Sequence, residues 1–263
     1  MELWNNYKTS VCSFNTFDNY FNKQQEIECL KNETVNLSPF IVSANSGNGV
    51  THLMHAICNK WINENKNIYY IKSQTLCYFI KKIKTQTELN NFKAQLLNYD
   101  LIAIDNIEYF YKKTKTLKNF IFELYNKCNE RRIPIIFGCS NPNKDFTKTK
   151  SNLKSFNLKQ IELKPLNGFD VFNLLKNLCE HETLIPDNLI YVISNYNGTA
   201  QEYINCLISI RFKSKLDGID LKDLSSDDIE NQFNIKKYFK KQQFRKCLHK
   251  MQFEFPEKVI NKF

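Results

Sequence analysis

The sequence lacks the features of a membrane-spanning or secreted protein. A helix that crosses a membrane needs roughly 18 or more consecutive apolar residues, and no stretch of this 263-residue chain approaches that length. The first ten residues, MELWNNYKTS, do not contain a basic segment followed by an apolar one, as a signal peptide would. We therefore expect a soluble, cytoplasmic protein with no membrane partner.

The cysteines lack the spacing of a metal site or of a disulfide framework. Nine cysteines are scattered along the chain without a C-x-x-C pair or a Cys/His cluster at metal-ligand spacing. Their odd number also argues against a set of disulfides. We interpret them as reduced, mostly buried residues and expect no metal site. His52 and His55 lie three residues apart, but such a pair is more often hydrogen-bonded than metal-bound.

Arginine is scarce although the chain is basic. The formal net charge is +10, and almost all of the positive charge is lysine. This balance favours anionic partners, nucleic acid first. Abundant Lys, Asn and Ile can equally reflect an AT-rich genome, with most of the lysines in solvent, so both interpretations stay open. The arginines are Arg131, Arg132, Arg211 and Arg245.

Strand and helix patterns alternate over the first two thirds of the chain. The segment Leu101–Ile104 is apolar throughout, which is typical of a parallel strand covered on both faces. This alternation predicts an α/β fold with a parallel sheet. From Gly168 onward the pattern becomes wholly helical. The predicted strands are Pro39–Asn45, Ile68–Ile71, Leu101–Ile104, Ile133–Phe137 and Gln160–Leu163.

The stretch Pro39–Asn59 has the layout of a phosphate-binding loop, because a buried strand, a glycine-bearing loop and an amphipathic helix follow one another. In such a loop, backbone N–H groups and the helix N-terminus face the phosphates. On the template G-x-x-x-x-G-K-[ST], this chain offers Ala44, Gly49, Val50 and Thr51. Valine replaces the lysine, and losing such a charge-assisted contact costs about 1.5–3 kcal/mol in binding. The sequence predicts weak nucleotide binding or none.

Three segments resemble the bacterial replication initiator DnaA and its short relative Hda. Gly47–Asn59 resembles the family's phosphate loop and the following T-H-L-L-H-A-I. Phe14–Phe21, FNTFDNYF, resembles its T-F-D-N-F segment, and Asp100–Phe110, DLIAIDNIEYF, resembles its L-L-I-D-D-I-Q-F strand. The resemblance implies an AAA+ parallel sheet covered by helices and followed by a small helical lid domain. The implied domains are an N-terminal arm (1–22), a degenerate AAA+ domain (23–165), the lid (166–224) and a basic C-terminal helix or tail (225–263).

The resemblance also implies four charged positions for ATP hydrolysis, and this chain departs from all of them. Val50 replaces the loop lysine, Asn106 the second acid and Gln201 the phosphate-sensing arginine. The arginine-finger region, near Leu153–Ser155, has no arginine. We predict no catalytic residues and no cofactor beyond weakly bound ATP or ADP. The vestigial nucleotide site would comprise Gly47, Gly49, Thr51 and Asp105, although Asp105 could instead cap the turn that follows its strand.

The C-terminal part departs most from the family. Ser226–Lys250 predicts a capped helix with an apolar side, and no acid occurs from Ile235 to Lys250. A basic, aromatic helix suits phosphate backbones or an acidic partner surface, and a solvated helix packed on the lid is the alternative. The candidate binding residues are Lys236, Lys237, Lys240, Lys241, Arg245, Lys246 and Lys250.

Two functions remain open from the sequence. The first is a catalytically inactive homologue that binds and regulates in replication initiation, with DnaA, other replication proteins or DNA as partner. The second is a divergent initiator or helicase-loader ATPase with weak nucleotide binding. A lysine entering the site from elsewhere, Lys72 or Lys112, would favour the enzyme.

Overall fold

The computed structural model describes residues 11–12, 16–17, 25–32, 39–111, 115–140, 158–179 and 185–239. The chain divides into two compact units, Met1–Leu163 and Lys164–Phe263. Among the helices of these described ranges, none combines the length and the apolar character that crossing a bilayer requires.

The first unit is built on a five-stranded parallel sheet with the strand order β2-β3-β4-β1-β5. The predicted α/β class with a parallel sheet is therefore confirmed. The strands are β1 (Phe40–Ser43), β2 (Ile68–Lys72), β3 (Leu101–Asp105), β4 (Ile135–Cys139) and β5 (Lys159–Glu162).

Helices cover both faces of this sheet. Alternate strand residues face opposite sides: Tyr70 and Ala103 pack in the layer with α2, whereas Tyr69 and Ile104 pack in the layer with α3, α4 and α6. Such two-sided burial explains why β3 is apolar along its length. The helices of this unit are α1 (Gln25–Asn32), α2 (Val50–Asn63), α3 (Ser73–Lys82), α4 (Gln86–Leu96), α5 (Glu108–Tyr111) and α6 (Lys115–Glu130).

The fourth strand begins two residues later than predicted. Arg132 follows α6 with a left-handed φ of 57°, and the Ile133 N–H donates to the Cys128 carbonyl. Ile133 therefore belongs to the turn that closes α6. Pro134 has no N–H to donate to a ladder, and pairing with β3 begins at Ile135.

In the described residues of the second unit the regular elements are all helices, and they enclose their own core. Thr199 and Ser225 begin their helices with capping boxes, in which each hydroxyl accepts an N–H from Glu202 or Asp228. The helices are α7 (Gly168–Leu178), α8 (Asp187–Ser194), α9 (Ala200–Asp217) and α10 (Ser226–Phe233), with 3-10 turns at Leu221–Asp223 and Ile235–Tyr238.

The prediction of one continuous helix over Ser226–Lys250 is wrong. Helix α10 ends at Phe233. Its C-cap residue, Asn234, has a left-handed φ of 46° and ψ of 59°, a conformation that asparagine tolerates better than most residues. The chain then turns so that Ile235 and Phe239 enter the helical core. Residues 225–239 therefore complete the helical unit, and the predicted helix beyond Phe239 lies outside the described residues.

Candidate nucleotide-type site at the edge of the sheet

The loop between β1 and α2 keeps the backbone conformation that close approach to a ligand requires. Gly47 and Gly49 both have φ of 88°, a region that L side chains rarely adopt. Gly49 is the N-cap of α2, and its carbonyl accepts the Leu53 N–H at 2.9 Å. The loop directly follows β1, which lies between β4 and β5 in the parallel sheet. It therefore emerges at the carboxyl edge of the sheet, where ligands of open α/β sheets bind.

Val50, the first residue of α2, is only 3% exposed. A methyl group built on Gly138 of β4 would lie 3.2 Å from the Val50 Cγ1 and 3.0 Å from the Met54 Sδ. The side chain that stands in place of the template lysine therefore packs between α2 and β4. It supplies apolar contact where the template has an ammonium group.

Asp105, the last residue of β3, is fully buried and accepts hydrogen bonds on both carboxylate oxygens. The Thr51 hydroxyl donates to Oδ2 at 2.7 Å, and the Tyr70 hydroxyl donates to the same oxygen at 3.0 Å. The Asn106 N–H donates to Oδ1 at 2.8 Å. The structure thus brings Thr51 and Asp105 together. It also shows the turn-capping role that the sequence left open.

Tyr70 belongs to this site although sequence reasoning did not single it out. Burial, together with the neighbouring Asp105 carboxylate, raises the pKa of the Tyr70 hydroxyl far above its usual range. Tyr70 is therefore a permanent donor to Asp105. The signal was the alternation of β2, which turns Tyr70 toward the α2 layer, but choosing its partner required the pairing of β2 with β3.

The position of the second acid holds Asn106, which has a left-handed φ of 57°. Glu108 supplies a carboxylate two residues later. Burial raises the pKa of Glu108, and the nearby Asp105 adds to the rise, whereas bonds with Glu108's own backbone, Cys139 and the Ser140 backbone oppose it. Its Oε2 atom is buried with no hydrogen-bond partner among the described residues. Sequence reasoning missed Glu108 because it lies outside the family's acid positions.

The two histidines hold the N-terminal segment against α2. The Cys12 N–H donates to the His55 Nδ1 at 3.3 Å, and the His52 Nε2 lies 3.4 Å from the Thr16 carbonyl. The Asn59 amide donates to the Cys12 carbonyl at 2.8 Å. Burial lowers the pKa of both histidines. The described residues contain no group of His, Cys, Asp and Glu that could hold a metal ion.

The remaining predicted residues belong to the second unit or lie outside the described ranges. Gln201 is exposed on α9, where its amide donates to the Asn205 side chain at 2.9 Å. The Lys236 ammonium lies 3.6 Å from the Glu230 carboxylate, and the Lys237 ammonium lies 4.9 Å from the centre of the Tyr238 ring. The residues outside the described ranges are Lys112, Leu153–Ser155, Lys240, Lys241, Arg245, Lys246 and Lys250.

Lys72, the lysine considered as a substitute, ends β2 with an exposed side chain. Its Cα pairs in register with that of Asp105. Its charge contributes to the lowered pKa of His55. Lys72 therefore lies at the same edge of the sheet as the Thr51–Asp105 pair. Its strand, β2, is the outermost strand of the sheet and is separated from β1 by β3 and β4.

A glycine-bearing loop at the carboxyl edge of a parallel sheet, followed in the chain by a unit whose described elements are helices, defines a P-loop-type protein of the AAA+ class. The chain belongs to the family of the bacterial DnaA ATPase domain, whose pattern matches residues 12–160. The resemblance predicted from three motifs is confirmed.

Relatives and solved structures agree with this assignment. The chromosomal replication initiator protein DnaA of Campylobacter fetus is 26% identical over 226 residues, which are 76% of this chain and 51% of that protein. The chain thus spans about half the length of this relative.

The fold is that of solved DnaA structures. Domain III of Thermotoga maritima DnaA has a TM-score of 0.73 at 15% identity, covering 89% of this chain and all of that one. A replication initiator DnaA bound to AMPPCP and single-stranded DNA has a TM-score of 0.63 at 14% identity, covering 97% of this chain and 95% of that one.

Proposed function

We propose that this chain is a DnaA-like protein that binds a replication partner and regulates replication initiation without hydrolysing ATP. The observation that carries the proposal is Val50, buried against Met54 and Gly138 at the lysine position of a loop that otherwise keeps its left-handed glycines. Electrostatic stabilisation of the transferring phosphoryl group is the largest part of catalysis in such sites. A valine provides none of it.

Three further positions support the proposal. The amide of Asn106 cannot accept a proton from water as a carboxylate can. Gln201 carries no charge toward a phosphate, and no arginine occurs between Ile133 and Ser209. Lysines are poor substitutes for a planar, bidentate guanidinium group. Because all four changes would affect the same phosphates, a single compensating residue would not restore hydrolysis.

The residues present suit a magnesium ion better than they suit a nucleoside triphosphate. The Thr51 hydroxyl and the Asp105 carboxylate are oxygen ligands of the kind magnesium prefers, and they lie 2.7 Å apart. The cations that would hold the phosphates are not among the described residues of the loop. We therefore expect no cofactor that stays bound, and at most weak ATP or ADP.

An anionic or replication partner fits the charge and the family. The net charge of +10 favours association with acidic surfaces and nucleic acid. The relatives are replication initiators, and one solved DnaA structure contains single-stranded DNA. The proposed partners are DnaA or another replication protein, with DNA as a further one.

Calorimetric titration of ATP and of ADP, each with magnesium, tests the proposal. We expect no binding, or dissociation constants weaker than about 1 mM, equivalent to about −4 kcal/mol. The matched control is Thr51→Ala, which removes one of the two candidate magnesium ligands and should leave the isotherms unchanged. Micromolar binding that Thr51→Ala abolishes would overturn the proposal.

The alternative is a divergent ATPase, and the preserved loop conformation with its Thr51–Asp105 pair favours it. Lys72 would then be the substitute cation at the sheet edge. Magnesium-dependent ATP hydrolysis that is lost in Lys72→Ala would establish this alternative. A matched Lys66→Ala change, in the turn after α2, should leave such hydrolysis intact.

A further inference from the structure

Helix α9 carries a stripe of exposed apolar side chains on the side that faces away from the helical core. Ile208, Phe212 and Leu216 are 55%, 65% and 69% exposed. They are spaced four residues apart, so they lie along one face of the helix. Seven large hydrophobic side chains are exposed among the described residues, and three of them form this stripe. Single exposed apolar residues are ordinary, but an aligned set marks an interaction surface.

The exposed stripe is separate from the face of α9 that packs in the core of the helical unit. Tyr203, Cys206, Leu207 and Ile210 of the same helix are buried in the core of that unit. Helix α9 is therefore apolar on two sides, although burial within the described unit uses only one. A solvent-exposed surface would be expected to carry polar residues at these positions.

A row of positive charge borders the stripe. Arg211 and Lys215 each precede a stripe residue by one position and lie four residues apart, which places them in a parallel row. Lys213 lies on the other side, where its ammonium group donates to the Gln232 carbonyl at 3.2 Å. The Arg211–Lys215 side of the stripe is therefore cationic, whereas the other side carries Lys213 and, directly after Leu216, the exposed Asp217.

An open cavity adjoins the row formed by Arg211 and Lys215. Its volume is about 270 Å³, and apolar side chains from two separate segments line it together with those two residues. The apolar lining residues are Ile185, Ile219 and Leu221. The surface thus consists of an apolar stripe, a basic border and a recess large enough for one side chain.

We infer that the stripe Ile208–Phe212–Leu216 is the docking site for an amphipathic helix of another protein, one whose apolar residues are flanked by Asp or Glu. Amphipathic helices dock in apolar grooves through side chains at i, i+3, i+4 and i+7. Acidic flanks would pair with Arg211 and Lys215, giving orientation and faster association. An apolar side chain at the edge of the partner helix would fill the cavity.

The chemistry of the stripe favours protein over nucleic acid. Single-stranded nucleic acid binds by stacking bases on aromatic side chains, and only Phe212 of the three can stack. Ile208 and Leu216 instead suit aliphatic packing. The inference does not depend on the proposed absence of ATP hydrolysis, because the surface lies in the helical unit and requires no nucleotide.

Photo-crosslinking from the stripe followed by peptide binding tests the inference. The full chain carrying Phe212→p-benzoylphenylalanine is irradiated in cells of its natural host, and the cross-linked segment is mapped by mass spectrometry. We expect a segment of another protein with apolar residues at helical spacing and acidic flanks. A synthetic peptide of that segment should bind the purified full chain, and its affinity should fall as salt rises.

Substitutions in the full chain make the test specific. Phe212→Ser should weaken binding of the peptide at least tenfold, and the charge reversal of Arg211→Glu with Lys215→Glu should weaken it further. The matched control is Phe122→Ser, which removes an exposed phenylalanine of α6 in the other unit and should leave the affinity unchanged. Circular dichroism confirms that each variant is folded.

Several outcomes would overturn the inference. Cross-links to a second copy of this chain would make the stripe a self-association surface, and cross-links to residues 240–263 of the same chain would make it an internal contact. Cross-links to nucleic acid, to a segment without acidic flanks, or to nothing would also refute it. So would a peptide whose affinity is the same for Phe212→Ser and for the unchanged chain.

Discussion

Asp105 is the residue at which the sheet, the phosphate-type loop and α2 meet. A buried carboxylate is costly unless donors satisfy it, and here Thr51, Tyr70 and the Asn106 backbone do so. These bonds draw the first turn of α2 against the ends of β3 and β4. Little room remains, and Gly138 is the residue that makes the approach possible.

Gly138→Ala should destabilise the protein by about 1–3 kcal/mol, as overpacking of a tight interior does. The added methyl group would lie 2.5 Å from the Asp105 Oδ1 and would also crowd Met54 and Val50. Urea unfolding measures the loss. The control is Gly218→Ala, where no atom lies within 4 Å and the cost arises only from its φ of +66°.

The Gly218→Ala variant separates backbone strain from steric crowding as the cause of any stability loss in Gly138→Ala. A left-handed conformation costs an L residue about 1–2 kcal/mol, so Gly218→Ala measures backbone strain without steric contact. Since Gly138 has no such strain, its loss reports crowding. Unchanged stability of Gly138→Ala would show that α2 can move away from β4.

Val50→Lys alone should not produce ATP hydrolysis, because Asn106 and Gln201 still lack the required charges. We expect the phosphate-release rate to remain at the background given by Thr51→Ala. Measurable turnover by Val50→Lys would contradict the proposal that four changes together removed the activity.

At this scale the sequence assigned Thr51 and Asp105 to the same vestigial site, because each occupies a recognisable motif position, but it did not predict the hydrogen bond between them. It did not predict Tyr70, Glu108 or Gly138. The roles of Tyr70 and Gly138 depend on strand register and on how closely α2 approaches the sheet, and neither is encoded in local spacing. Glu108 lies outside the acid positions of the family pattern. Gly138 is important because it has no side chain, and a single sequence does not show where the absence of a side chain is required.

Among the elements, α4 and α6 are joined by an ion pair inside the first unit. The Lys93 ammonium pairs with the Glu123 carboxylate, and the exposures of the two side chains are 2% and 50%. The ammonium also lies 5.8 Å from the centre of the Phe120 ring. The buried Lys93 ammonium therefore depends on the Glu123 carboxylate to compensate its charge, whereas the half-exposed carboxylate is also hydrated by solvent.

This asymmetry predicts unequal effects of removing either partner. Glu123→Gln should cost about 2–3 kcal/mol, because it leaves a buried ammonium uncompensated, although water at the half-exposed site softens the usual penalty. Lys93→Met should lie within about 1 kcal/mol of the unchanged protein. Denaturant unfolding of the two variants measures both values. Equal losses would mean that the pair is solvated symmetrically.

The histidines of α2 predict loss of stability in mild acid. Burial lowers the pKa of His52 and His55 below the value of about 6.5 in the unfolded chain. The unfolded state therefore binds more protons as the pH falls. The resulting stability is present above about pH 6.5 and is lost as the pH falls through the folded pKa values.

Denaturant unfolding between pH 5.5 and 7.5 checks this dependence. The free energy of unfolding should rise with pH, and the double variant His52→Gln, His55→Gln should flatten the rise. The raised pKa of Glu108 acts in the opposite direction and remains in both proteins, so the difference between them isolates the histidines. Asp105 and Lys72, which influence the pKa of His55, are present in both proteins. Identical slopes would refute the assignment.

The sequence predicted the type and order of the main elements well. Strands were recognisable from apolar runs between turns, and the helices of the second unit from the change of pattern at Gly168. The C-terminal prediction failed at Asn234. Apolar residues at helical spacing continue beyond it, but the helical core receives Ile235 and Phe239 only because the chain turns there. A long-range packing gain overrode the local pattern.

At the scale of the whole molecule, the chain contains separate cores rather than one. Two clusters lie on the two faces of the sheet, and a third fills the helical unit. Each unit therefore has its own source of stability, and unfolding should not follow a two-state model.

Differential scanning calorimetry checks this expectation with variants that act on one unit each. Phe239→Ala, which removes a buried ring of the helical core, should cost about 3–5 kcal/mol locally and lower one transition. Gly138→Ala should lower the other. A single transition that both variants shift equally would show that the units unfold together.

Phe239 also sets when the helical unit can fold during synthesis. Its ring stacks on Tyr196 at a centroid distance of 5.0 Å and leaves no space for a side chain on Gly198. The core of this unit stays open until that ring has left the ribosome, whereas the last described strand of the sheet, β5, ends at Glu162. Because domains fold as units in the order of their synthesis, the sheet can form while the helical unit still exposes its apolar face. A chaperone that acts on the nascent chain would therefore meet the helical unit in this interval.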